Sequence, residues 1–127
     1  MNYEILRPDA ADEFYTDERC HILELSNSAK DDALSIARAR IEPRVTTALH
    51  RLEGTVERYV VLEGSGVVEI GGGAPERVAA GDVVMIPAGV SQRVTNSGDG
   101  DLVFLALCTP RFRPRSYVTL EDADAEE

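Results

Sequence analysis

Apolar and polar residues alternate along most of this chain in short runs, and almost nowhere do they recur at the three-to-four spacing of a helix. Residues 20–25 alternate, with His21, Leu23 and Leu25 on one face. Residues 34–41 follow, pointing Ala37, Ala39 and Ile41 one way and Arg38 and Arg40 the other, until Pro43 breaks the run. Residues 46–52 put Thr46, Ala48, His50 and Leu52 on a shared face, and after the 53–56 turn Glu57, Tyr59 and Val61 share the next. Short β-rich runs at 67–70, around Val78, and at 83–86, 92–96 and 102–108 bring the set to nine, or ten with a short strand at 2–6. Turn residues every few positions separate them, so the pattern predicts an all-β antiparallel barrel or sandwich. A small barrel of this kind encloses one ligand-sized cavity, with every second residue facing inward.

The turns refine this picture. Gly64 and Gly66 flank Ser65 between two β-runs, a hairpin signature. Pro87 and Gly89 bracket Ala88 in a second tight reversal. The Gly71-Gly72-Gly73-Ala74-Pro75 turn is no phosphate cradle, because no helix follows it and no Lys completes it. Residues 1–19 are polar and irregular, with an acidic cluster and room for a short strand at 2–6. The barrel is placed at 20–108. Residues 109–120 form an arm held extended by Pro110 and Pro114. The tail from 121 to 127 is too acidic to pack and is expected to be disordered.

A length of 127 residues suits one domain with a single core. Its 43% hydrophobic and 28% charged residues are ordinary for a soluble protein. The net charge of −10 argues against a nucleic-acid partner, although five of the acids sit in the last seven residues. No apolar run approaches the roughly 20 residues that cross a membrane. Residues 1–5 lack the basic start and apolar core of a secretory signal, so a cytoplasmic location is the expectation. Cys20 and Cys108 have no C-x-x-C spacing and read as separate buried thiols.

The stretch from His50 to Asn96 carries a more specific signal. His50, Glu57 and Gly64 fit a first motif of the form G-x5-H-x-H-x3-4-E-x6-G. Gly81, Pro87, Gly89 and Asn96 fit a second, G-x5-P-x-G-x2-H-x3-N. On these positions the chain resembles the cupin family over about residues 34–108, which implies an antiparallel double-stranded β-helix, or jelly-roll barrel. Three positions depart from the motifs: Arg44 replaces the opening glycine, Leu52 the second histidine and Gln92 the third.

In cupins the histidines and glutamate hold one divalent metal inside the barrel. The resemblance therefore implies His50, Glu57 and Gln92 as ligands of a divalent metal (Fe, Mn, Ni or Zn), a small-molecule ligand, and a homodimer. Leucine offers no lone pair, and a glutamine carbonyl suits harder cations. Three readings stay open. The first is a metal-dependent enzyme of dioxygenase, lyase, isomerase or cyclase type acting on a small oxygenated, partly apolar substrate. The second is a metal-free isomerase or epimerase with His50 or Glu57 as base and Tyr59 as acid. The third is a binding or sensing module without turnover. Apart from any metal, a carboxyl at Glu57 buried beside Tyr59 would have its pKa raised toward the range useful for a base. Leu52, Val61 and Met85 or Ile86 are expected as apolar walls of the cavity. Arg38 and Arg40 are either an anion-binding mouth or a solvated strand face.

Overall fold

The computed structural model describes residues 2–121, and among them eleven strands form two antiparallel sheets. The six-stranded sheet runs in the order β1 (Phe14–Tyr15), β2 (His21–Ser26), β3 (Ser35–Ile41), β10 (Leu102–Thr109), β5 (Val56–Glu63) and β8 (Val83–Ile86). The five-stranded sheet runs β11 (Tyr117–Thr119), β4 (His50–Leu52), β9 (Gln92–Asn96), β6 (Ser65–Ile70) and β7 (Glu76–Ala79). The chain passes from one sheet to the other between β3 and β4, and again at each step from β4 to β6 and from β7 to β10. That winding is the double-stranded β-helix expected from the motifs.

Alternation decides which side chains the sheets enclose. On β3, Ala39 and Ile41 are buried, while Arg38 and Arg40 face outward to Glu13, with Arg40 also bridging to Asp101 at 3.1 Å. The two arginines are thus paired on the outer face and form no mouth to the interior. Ile41, Leu102 and Ile86 are almost wholly enclosed and pack with Val68, Val94 and Phe104. Each contributes roughly 2 kcal/mol or more by leaving water. Asn96 clamps the end of β9: its amide donates to the Ile41 and Gly100 carbonyls at 2.9 and 2.8 Å, and its oxygen accepts from the Gly98 N–H at 2.9 Å.

The glycine turn at 64–66 is not the hairpin the sequence suggests, because β5 and β6 lie in different sheets. Its glycines answer a different demand. Gly64 has φ +82°, and a Cβ there would sit 2.7 Å from the Asp101 carbonyl oxygen. A Cβ on Gly66 would lie 2.7 Å from Leu102 Cδ2 and 2.8 Å from the Thr95 carbonyl oxygen. The chain needs glycine here to cross between sheets against β10. The turn at 87–89 likewise leads from β8 to β9 across the sheets, with the Gly89 N–H donating to the Leu52 carbonyl at 2.8 Å. We expect Gly66→Ala to destabilise the fold by about 1–3 kcal/mol through overpacking, read from its urea midpoint. An unchanged midpoint would mean that Leu102 and β9 yield freely.

The ends differ from the sequence reading in two places. Residues 2–6 form no strand, and β1 joins the first sheet ahead of residue 20. The arm is pinned and then becomes a strand. The Phe112 N–H donates to Ser35 Oγ at 2.9 Å, Asn27 Nδ2 donates to the Phe112 carbonyl at 2.8 Å, and β11 pairs with β4. The expected disorder of residues 121–127 lies outside the described residues except at Glu121, which meets Arg19 at 2.8 Å. Cys20 and Cys108 are free and buried.

Candidate functional site

The pairing of the strands brings the sequence-read residues together. His50 and Gln92 stand directly opposite one another on β4 and β9, and Glu57 and Tyr59 lie two apart on β5. His50, Glu57 and Tyr59 line one hollow of about 50 Å3, with Glu18, Thr47 and Phe104 among its other walls. A second hollow of about 160 Å3 adjoins it, sharing Glu18, Ile22, Glu57 and Ala106, and opens past Glu24, Phe14 and Phe112. A groove of about 480 Å3 between Asp32 and Arg115 is larger, but its carboxylate already pairs with Arg111 and Arg113.

Glu57 is the least satisfied group in the interior. Its buried Oε1 has no hydrogen-bond partner of normal geometry and Oε2 accepts from the Cys108 thiol at 3.7 Å, while the Gln92 side chain lies near enough to favour the charged form. Burial pushes its pKa up to about 7, and the neighbouring Glu18 charge adds to the rise, against the opposing pull of Gln92 and Cys108. A carboxyl so placed exchanges protons near neutrality.

The groups around it are committed. The Tyr59 hydroxyl donates to Gln92 Oε1, and burial, followed by the Glu57 and Glu18 charges, holds the phenol well above its usual range. The Tyr59 of the sequence-read acid–base pair is therefore engaged, and the carboxyl is open. His50 Nδ1 donates to the Ala48 carbonyl at 2.9 Å. Its ring stacks on Tyr117 with centroids 4.7 Å apart and an interplanar angle of 19°. Glu18 Oε2 lies 3.7 Å from the same Nδ1; burial raises the Glu18 pKa, with His50 and Tyr117 opposing. Burial pushes the Cys20 thiol up to about 12 and moves Cys108 in the same direction, so both stay protonated and unreactive.

The donor set for a divalent cation can be judged from these contacts. His50 Nε2 and Glu57 Oε1 have no hydrogen-bond partner among the described residues, Gln92 Oε1 is occupied by Tyr59, and Leu52 supplies nothing. Among the described residues no three His, Cys, Asp or Glu side chains are grouped to hold a metal ion. Two open donors fall short of the three strong ligands that firm sites use, so these residues do not fit a tightly held divalent cation.

The apolar walls are not those expected. Ile22, Ala39, Val94, Phe104 and Ala106 line the inner cavity. Leu52 is buried outside it, with Tyr117 as its partner in the β4–β11 pairing; Val61 and Ile86 belong to the core, and Met85 is exposed on β8, the last strand of its sheet. Glu18 went unread because it sits in the acidic stretch ahead of the barrel. Its signal lay in the alternation: carried back from Ile22, every second residue through Cys20, Glu18, Thr16 and Phe14 lines one of the two hollows. His21, Leu23 and Leu25 share the face of β2 turned away from the hollows, where His21 meets Glu42 at 2.9 Å and Leu23 is buried.

The cupin domain family matches residues 37–108. A protein of Thermotoga maritima named an oxalate-binding protein is 34% identical over 90 residues, covering 71% of this chain and 73% of that one. A crystal structure from Thermotoga maritima, described as a predicted oxalate decarboxylase, superposes with a TM-score of 0.70 at 27% identity, covering 84% of this chain and 99% of that one. The fold is also that of Pac13, a Streptomyces nucleoside dehydratase, at a TM-score of 0.75 and 12% identity over 92% of each chain. With the motif positions, the two-sheet winding and a family match over more than half of its length in agreement, the chain belongs to the cupin family.

Proposed function

We propose that this chain is a metal-free small-molecule cupin whose cavity uses Glu57 as the base of an isomerase- or epimerase-type proton transfer. One observation carries this reading: Glu57 lines the hollow beside His50 and Tyr59, and its buried Oε1 has no hydrogen-bond partner. A buried acceptor left unpaired costs about 1–3 kcal/mol, which a ligand donating to that oxygen would recover. Gln92 and Tyr59 hold one another on one side, and the His50 ring is fixed by the Ala48 carbonyl and Tyr117 on the other.

A second reading is supported by the relatives, one of which is named for oxalate binding and another described as a predicted oxalate decarboxylase. In it, His50, Glu57 and Gln92 hold a divalent metal and the ligand is a small dicarboxylate. Elemental analysis of protein purified without a histidine tag separates the two. The expected result is well under one metal ion per chain, with a melting temperature unmoved by chelator. One tightly held equivalent per chain, with a melting temperature that falls on its removal, would sink the metal-free proposal.

A further inference from the structure

We propose that the two adjoining hollows take a small organic ammonium ion, its charge toward Glu57, Glu18 and Glu24 and its carbon skeleton against phenyl walls. This rests on the metal-free reading above and names the ligand class of the same site. All three charged side chains lining the hollows are carboxyls, and neither hollow is lined by a lysine or arginine. The strand pattern enforces that asymmetry. Ala37 and Ala39 of β3 face the hollows, so the intervening Arg38 and Arg40 are turned to the outer face and occupied by Glu13 and Asp101. Arg58, between the inward Glu57 and Tyr59, is likewise tied to Thr109 Oγ1 at 2.7 Å.

The remaining walls match the same ligand. All three phenylalanines of the chain, Phe14, Phe104 and Phe112, line these hollows, and Tyr59 joins Phe104 at a ring separation of 4.5 Å. Aromatic faces combined with carboxylates form the usual environment for an ammonium group, through cation–π attraction and charge-assisted hydrogen bonds. Glu57 lines both hollows, and its unpartnered Oε1 is an acceptor that an N–H⁺ donor would satisfy once the carboxyl turns toward it. Size bounds the ligand too: the outer hollow of about 160 Å3 is close to the cavity of about 150 Å3 that admits benzene in another protein. A dicarboxylate would meet three carboxyls and no lysine or arginine in the walls.

Calorimetric titration of the full-length, metal-free protein at pH 8 with benzylamine, benzyl alcohol and oxalate tests this. Benzylamine is expected to bind at least about tenfold more tightly than its neutral isostere, and oxalate to give no binding heat. Glu57→Gln should remove most of that preference while keeping the benzyl alcohol affinity. Glu24→Gln, at the outer rim, provides a milder variant and should reduce the preference in part. Equal or weaker binding of the amine, failure of both benzyl compounds to bind, or oxalate binding to metal-free protein would each overturn the ammonium assignment. The metal-free reading would survive all three outcomes; only stoichiometric metal would remove it.

Discussion

Replacing Glu57 by glutamine is expected to stabilise the protein by about 3 kcal/mol above pH 7 and to change it little at pH 4.5 or below. In the folded chain this carboxyl takes up its proton near pH 7, chiefly because burial disfavours the charge, whereas its ordinary value is 4.5. Below pH 4.5 it is protonated in both states, and the stability it confers is fully present. As pH rises through about 7 the unfolded chain is already ionised while the folded one must bear a buried charge, and that stability is lost. Glu18 and Glu24 are raised as well and act in the same direction. Glu13, Asp32 and Glu69 are held low by arginine partners and act oppositely, at acid pH. The comparison is therefore between the slopes of the two proteins in urea unfolding at pH 5 and pH 8. Parallel slopes would mean that Glu57 titrates as an ordinary surface carboxylate.

Truncation after Cys108 should be more damaging still, costing about 4 kcal/mol or abolishing folding, whereas truncation after Glu121 should change nothing measurable. The longer deletion removes β11 from the edge of the second sheet, together with the hydrogen bonds from the Glu53 N–H to the Ser116 carbonyl and from the Leu120 N–H to the Leu49 carbonyl, at 2.8 and 2.9 Å. It also removes Phe112 and Tyr117, each worth roughly 2 kcal/mol when covered, out of the 5–15 kcal/mol that holds a domain. Tyr117 stacks on His50, so the site loses its outer support with the strand. The last residues carry acids and no large apolar group, and composition gives them nothing to bury. Equal thermal melts for the two truncations would show that the arm packs on nothing.

What was legible in the sequence followed from period two and from motif spacing. His50, Glu57 and Tyr59 were placed on inward faces, and Gln92 was returned beside His50, because each lies at a fixed parity within a short strand. The winding of the strands was not legible locally. A glycine that closes a hairpin and one that lets the chain cross between sheets look alike, and only the approach of Gly66 to Leu102 and Thr95 separates them. The strand role of Tyr117 was hidden because three residues after Pro114 carry no alternation long enough to read. Glu18 was hidden by its acidic neighbours, although its parity with Ile22 marked it. The commitment of Gln92 to Tyr59 depends on two rotamers on different strands, which no spacing specifies.

The measurement closest to the central claim is a carbon-13 NMR titration of the Glu57 side-chain carboxyl, assigned by its loss in Glu57→Gln, in metal-free protein. The account predicts a midpoint near pH 7 that moves when ligand enters the cavity. A midpoint near 4.5, unmoved by any ligand that binds, would contradict it.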